Sequence, residues 1–169
     1  MCIRDSIKEQ ASIDTGSLSP QDLVNHRRRL GDVHDMAGMI SLQTSKPTEA
    51  IEHYQAALAA NPDRLRTLIV LAKVYASHPE DAIRDGQKAL ELATRACELT
   101  SNNHPDALDA LAAAHAENGD FETAASEARK AVAAARNRGA GPVAAAISRR
   151  LRLYEAGKPF RQGGGPRPK

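Results

Sequence analysis

The stretch PDALDALAAAHAENGDFETAASEARKAVAAAR, residues 105–136, decides the fold class of this chain. Apolar and small residues recur in it at helical spacing, and the pattern predicts two helices, at residues 106–117 and 121–136. Alanine dominates both helices, as is expected where helices cross closely. β-branched residues nowhere alternate with polar ones over a useful length, so the sequence predicts an all-α protein.

The same two-helix pattern occurs twice before this stretch. Small residues on the first helix of each pair are spaced by 34 and then 40 residues, and those on the second helix by 39 and then 35. The two series are Gly38, Ala72 and Ala112, and Ala57, Ala96 and Ala131. Five extra residues in the loop of the second pair and one before the third explain the departures from a regular period. Small side chains are needed at these positions because larger ones would push the crossing helices apart.

The residues around these positions resemble the tetratricopeptide repeat (TPR) over residues 31–139. They are Leu108, Leu111, Ala112, Gly119, Asp120, Phe121, Ala124 and Ala131 in the third repeat; Leu68, Leu71, Ala72, Tyr75, Ala89, Ala93 and Ala96 in the second; and Gly38, Ala50, Tyr54, Ala57, Asn61 and Pro62 in the first. Ala37 and Ser41 depart from the family pattern, which has a leucine and an aromatic residue there. The resemblance implies an all-α, right-handed helix-turn-helix solenoid of about three TPR-like helix pairs.

The predicted repeat domain spans residues 19–157. Its repeats are about 19–61, 62–104 and 105–139, and a C-terminal capping helix follows at 142–157. Ser19 and Pro20 form a helix start, and Gly157 followed by Pro159 forms a helix stop. We expect the capping helix to cover the apolar flank of the third pair through one face. That face consists of Val143, Ile147, Leu151 and Tyr154.

The two ends of the chain differ from the repeats. Residues 1–6 resemble a translated sequencing adapter, and we interpret them as a non-native segment. Residues 7–18 are polar and predict a linker, and residues 158–169 are rich in Gly and Pro and predict a disordered tail. The inserted loop at residues 84–86 and the ending at residues 150–161 are less generic than the repeats, and together they are similar to the C-terminal end of large bacterial repeat proteins. We therefore expect the chain to be the C-terminal repeat fragment of a larger bacterial protein.

Composition excludes several classes of function. The 169 residues carry a net charge of +2, which gives no reason to expect a nucleic-acid partner. Two basic clusters, at residues 26–29 and 149–161, lie on predicted helices and are interpreted as solvated helix faces. No apolar stretch approaches the roughly 20 residues of a membrane span, so we expect no membrane insertion by this fragment. The sequence assigns no compartment.

Motifs of catalysis and metal binding are missing from the sequence. Gly163–Gly165 lies in the terminal tail, so it does not form a phosphate-binding loop. The six histidines have no zinc-ligand spacing, and no histidine is placed by the sequence to activate Cys97. Cys97 is interpreted as a small core residue. We therefore expect no enzymatic activity, no cofactor and no metal.

The resemblance implies that the first helix of each pair lines a concave, partner-binding face. The candidate residues are Arg66, Ile69 and Lys73 at its centre, with Asp35, Met39 and Asp109 on the flanking repeats. Acidic residues dominate those flanks, so the carboxylate clamp of some family members is not expected. An acidic or extended segment fits this combination of basic and apolar residues. Alternatively, the surface is only solvated.

These observations predict a non-catalytic protein–protein interaction or scaffold module of the TPR type. Its partner is a protein or peptide, or a missing N-terminal region of the same chain, and we expect a monomer. The alternative is an accessory C-terminal repeat region of an enzyme, for example a membrane glycosyltransferase, whose catalytic domain lies outside this fragment.

Overall fold

The computed structural model describes residues 3–163, apart from the side chains of Arg4, Gln10, Ala11 and Ser17. Within these residues the chain forms α-helices, two short 3-10 helices and no strand, which confirms the predicted all-α class. The helices are α1 (Ile3–Ala11), α2 (Pro20–Gln43), α3 (Pro47–Ala60), α4 (Leu65–Ser77), α5 (Gly86–Leu99), α6 (Pro105–Glu117), α7 (Phe121–Asn137) and α8 (Gly141–Glu155). The 3-10 helices are Thr15–Ser17 and Asp81–Ile83.

The chain divides into two compact units, Met1–Thr67 and Leu68–Lys169. The division falls within α4. We call these the N-terminal and the C-terminal unit and describe each by itself. The solenoid arrangement of the three predicted repeats therefore stays a prediction.

Side-chain caps fix several helix starts. Ser19 Oγ accepts a hydrogen bond from the Asp22 amide at 3.2 Å and begins α2, as predicted. Asp85 caps α5 through the amide of Lys88 at 3.0 Å, and Asp120 caps α7 through the amide of Thr123 at 3.1 Å. Each of these side chains satisfies an amide that has no partner within its helix.

In the N-terminal unit, α2 packs against both α1 and α3. The two helices of the first pair, α2 and α3, approach closely at Gly38, where a larger residue would not fit. A Cβ at this position would lie 2.9 Å from the ring of Tyr54. Tyr54 and Ala57 on α3 are buried. The small residue at position 38 is therefore required by the crossing of the first helix pair.

In the C-terminal unit, α6 packs against α5 and α7, and α8 packs against α7. All six small residues of the two periodic series are buried across the chain, which confirms the burial predicted from their spacing. The turn between α6 and α7 contains Gly119 at a φ of +82°, a conformation that glycine adopts without strain. α8 buries Ile147 and Tyr154 of its predicted apolar face, while Val143 and Leu151 are half-buried.

Both predicted ends differ from the structure. The linker prediction for residues 7–18 is wrong over Ile7–Ala11, because α1 begins at Ile3 and packs against α2. Residues 3–6 of the suspected adapter segment belong to this helix, and residues 1–2 lie outside the described residues. The disordered-tail prediction is wrong for residues 158–163, which contact the C-terminal unit through hydrogen bonds and an ion pair. Residues 164–169 lie outside the described residues.

Candidate interaction surfaces

A partly buried charge cluster in the N-terminal unit is centred on Asp35. Arg64 Nε donates to Asp35 Oδ2 at 2.9 Å, and Arg64 Nη2 donates to Asp32 Oδ1 at 2.8 Å. Thr67 Oγ1 donates to Asp35 Oδ1 at 2.5 Å. Gly31 leaves room for this arginine, since a Cβ there would lie 2.8 Å from Arg64 Nη1. Both oxygens of Asp35 are thus engaged within the unit, and its predicted role as a partner-facing acid is not favoured.

An exposed apolar face lies beside this cluster on α2. Met36, Met39 and Ile40 expose 53%, 36% and 40% of their surface. Arg66 Nη2 lies 3.4 Å from Met39 Sδ, so the arginine and the methionine form one surface. We call Met36, Met39, Ile40 and Arg66 the methionine face. It borders an open cavity of about 400 Å³ whose other walls carry the charges of Arg28 and Asp32.

In the C-terminal unit, the carboxylate of Asp109 on α6 is held by two cations. Arg150 of α8 donates from Nε to Oδ1 at 2.7 Å and from Nη2 to Oδ2 at 2.8 Å. Lys73 Nζ lies 2.9 Å from Asp109 Oδ2 and 3.1 Å from Asp106 Oδ1. Asp109 is only 2% exposed, so the two cations compensate a carboxylate that is removed from water.

A second ion cluster surrounds Glu117 at the end of α6. Arg84 Nε donates to Glu117 Oε1 at 2.9 Å, and the same arginine donates from Nη1 to the carbonyl oxygens of His78 and Pro79, at 2.9 and 3.1 Å. Arg161 Nη1 lies 2.6 Å from Glu117 Oε2. Arg84 therefore fixes the loop after α4 beside Glu117, and Arg161 comes to the same carboxylate from the far end of the chain.

Residues 158–163, which we call the return segment, run back over the C-terminal unit after α8. The Gln162 amide donates to the Ser77 carbonyl at 2.7 Å, and Arg161 Nη1 donates to the Ala76 carbonyl at 3.5 Å. The guanidinium of Arg150 lies 5.5 Å from the ring centre of Phe160. A cavity of about 70 Å³ remains beneath the segment, between Phe160 and Lys73. The segment therefore lies in a groove formed by α4, α6 and α8.

The six predicted partner-binding residues differ in exposure and in their contacts. Arg66 and Met39 are exposed in the methionine face, and Asp35 is held by Arg64 and Thr67. The predicted exposure of Ile69 and Asp109 is wrong, because Ile69 is 7% exposed and Asp109 is covered by Arg150. Lys73 is half-buried and ion-paired, so it does not present a free charge. These positions follow from the resemblance to the repeat family together with helical register, and neither carries information on the contacts of α8 or the return segment.

The sequence does not predict the contacts that join five residues of the C-terminal unit: Arg84, Glu117, Arg150, Phe160 and Arg161. The signal available is the unusual composition of residues 150–161, in which an aromatic residue and several arginines follow the last helix. That signal does not specify which carboxylates these arginines contact.

Two further groups of reactive side chains have packing roles or local partners. Cys97 is buried, and burial raises the pKa of its thiol to about 11, so the thiol is neutral at physiological pH. His34 Nδ1 lies 3.2 Å from His53 Nδ1, between α2 and α3. Within residues 3–163, no three His, Cys, Asp or Glu side chains are grouped in a way that would hold a metal ion.

Comparisons with known proteins do not place the chain in a family. No protein-family model matches it, and a search of curated proteins found no match. Among the described helices, none has both the length and the apolar character needed to cross a membrane.

Proposed function

We propose that this chain is a non-catalytic protein-interaction module built from tetratricopeptide-type helix pairs. The observation that carries the proposal is the methionine face in the N-terminal unit. Three large apolar side chains that are neighbours on one helix are exposed there. Elsewhere in the chain, many of the small alanine side chains are fully buried between helices. Contiguous exposed apolar surface with a polar rim is typical of protein-binding sites.

The chemistry of the face supports a protein partner. Methionine side chains are flexible and polarisable, so they adapt to apolar side chains of different shapes. Arg66 contacts Met39 and adds a cation, while Asp32 and the Arg28 side chain border the same cavity. An apolar centre with charges at its rim gives affinity from burial and orientation from electrostatics. The partner proposed is a protein segment with an apolar anchor.

The test compares capture of partners from a lysate of the source organism by the wild-type chain and by a Met36→Glu/Met39→Glu variant. Leu99→Glu is the matched control, because Leu99 is also an exposed apolar residue, 39% exposed, on α5. We expect the double variant to lose at least 90% of the captured partner while the control keeps it. Circular dichroism checks that the helix content is equal.

Two outcomes contradict the proposal. Equal recovery by the wild-type chain and both variants would show that the methionine face is not the interface. Recovery of nothing above an unrelated helical protein would contradict the interaction function itself.

A further inference from the structure

The return segment binds its groove in the manner of a peptide ligand. After Gly157 ends α8, residues 158–161 contain no helix and no turn. The segment uses one backbone donor at Gln162, one cation at Arg161 and one aromatic ring at Phe160. A main-chain hydrogen bond with two side-chain anchors is the pattern by which grooves recognise extended segments.

The site that accepts Arg161 is formed without the return segment. The Ala76 carbonyl, which accepts from Arg161, and the Ser77 carbonyl, which accepts from the Gln162 amide, lie at the C-terminal end of α4, where carbonyls have no intrahelical partner and the helix dipole is negative. Glu117 is held beside them by Arg84, which also binds the loop after α4. This anionic site suits a planar guanidinium, because carbonyl and carboxylate oxygens face it together.

The site that accepts Phe160 is also fixed from within the helices. Arg150 is oriented by its two hydrogen bonds to Asp109, and the guanidinium faces the aromatic ring. Lys73 holds the same carboxylate from α4. The groove is therefore preorganised for an aromatic side chain followed directly by an arginine, and preorganisation favours binding.

The contacts of the return segment are few compared with those of a helix. Phe160 and Arg161 remain half-buried, and Gln162 is exposed. A segment with few buried apolar contacts opens locally at a small free-energy cost. Its advantage over a competing ligand is its high effective concentration on the same chain.

We propose that residues Phe160–Gln162 are a self-ligand of this groove, and that an extended segment of a partner protein carrying an aromatic residue followed by arginine displaces it. This site lies in the C-terminal unit and is distinct from the methionine face. Binding of the partner and release of the return segment are then coupled, so the segment lowers the apparent affinity for weak competitors.

The first experiment uses the full chain and a fluorescein-labelled hexapeptide with the sequence of residues 158–163, KPFRQG. A Phe160→Ala/Arg161→Ala variant frees the groove, and we expect it to bind the peptide at least tenfold more tightly than the wild-type chain. A KPAAQG peptide is the ligand control and should bind neither protein. Fluorescence anisotropy measures both affinities.

Matched substitutions test the anionic site. In the freed variant, Glu117→Gln should weaken peptide binding at least fivefold, because the arginine loses its carboxylate. Glu91→Gln, an exposed acid on α5, should leave the affinity unchanged. Peptide binding that is no tighter in the freed variant than in the wild-type chain, with helix content intact, would overturn the proposal.

A second measurement on the wild-type chain does not depend on the folding of any variant. In a ¹⁵N-labelled chain titrated with unlabelled KPFRQG, the Gln162 amide should lose its bond to Ser77, move towards the position of an unstructured amide and exchange faster with solvent. An unchanged Gln162 amide at saturating peptide would show a fixed structural cap and overturn the proposal. If the wild-type chain instead forms a dimer in solution and dilution of that dimer releases the segment, the occupant of the groove is a second copy of the chain, and the proposal of a different partner is wrong.

The two proposals fail separately. The Met36→Glu/Met39→Glu variant should bind KPFRQG as the wild-type chain does. Loss of lysate capture in that variant with unchanged peptide displacement would support both surfaces, whereas unchanged capture with normal displacement would contradict only the methionine face.

Discussion

Arg150 holds both carboxylate oxygens of Asp109, which joins the middle of α8 to the first half of α6. Asp109 is 2% exposed, so this pair acts largely out of water. Packing against α7 is therefore not the only attachment of the last helix, and the same guanidinium also faces Phe160.

Arg150→Ala should destabilise the C-terminal unit, because it leaves a buried carboxylate with less compensation. Breaking a buried pair costs about 3–5 kcal/mol, and we expect the low end of that range because Lys73 still contacts Asp109. Urea unfolding followed by circular dichroism measures the change. Arg149→Ala is the control, since Arg149 is exposed on the same helix. Equal midpoints for the two variants would show that the pair contributes little.

Gly38→Ala should destabilise the N-terminal unit. The added Cβ would lie 2.9 Å from the Tyr54 ring, so α2 and α3 must separate or the ring must move. Overpacking of this kind costs about 1–3 kcal/mol. Gly141→Ala is the matched control, because nothing lies within 4 Å of its Cβ position, and it should leave stability unchanged or slightly raised. A thermal melt in which the two variants behave alike would contradict the close crossing at Gly38.

The features predicted well from the sequence are those determined by neighbouring residues. The helices predicted at residues 106–117 and 121–136 are present as α6 and α7 to within one residue at each end, and Ala57, Ala96 and Ala131 are buried as predicted. Helical periodicity and small-residue spacing report which face of a helix is covered, so local sequence is sufficient for both.

The features predicted wrongly depend on contacts between distant parts of the chain. The resemblance to the repeat family implies that Asp109 lies on the partner-binding face, but Arg150, far along the chain, covers it. The Gly- and Pro-rich ending predicts disorder. In the structure, however, Arg161 forms an ion pair with Glu117 at the end of α6, a residue more than 40 positions earlier in the sequence. The sequence analysis does not predict α1, because residues 1–6 are interpreted as a non-native segment and the polar residues that follow predict a linker.

Tyr154→Phe should leave the stability unchanged or raise it by up to about 1 kcal/mol, because removing an unpaired buried hydroxyl removes a desolvation cost. Tyr154 is 1% exposed, and its hydroxyl has no hydrogen-bond partner within the described part of the chain. Burial raises the pKa of this phenol well above its ordinary value, so the group is neutral at physiological pH. Tyr154→Ala, which also removes the ring, should cost about 3–5 kcal/mol in the same urea titration. A clear loss of stability in Tyr154→Phe would indicate that the hydroxyl has a partner.

Acid should destabilise the N-terminal unit through His34. Burial, and then the nearby charge of His53, lower the pKa of His34 below its ordinary value of 6.5, although Asp35 opposes them. The unfolded chain therefore binds a proton more readily than the folded chain, and the stability present above pH 6.5 is lost as the pH falls below it. Two protonated imidazoles with their Nδ1 atoms 3.2 Å apart would also repel each other.

Urea midpoints at about pH 7.5 and about pH 5.5, on either side of the ordinary histidine pKa, should differ less in His34→Gln than in the wild-type chain. His78→Gln, in the C-terminal unit, should retain the wild-type difference, and an equal pH dependence in all three proteins would exclude His34 as its source.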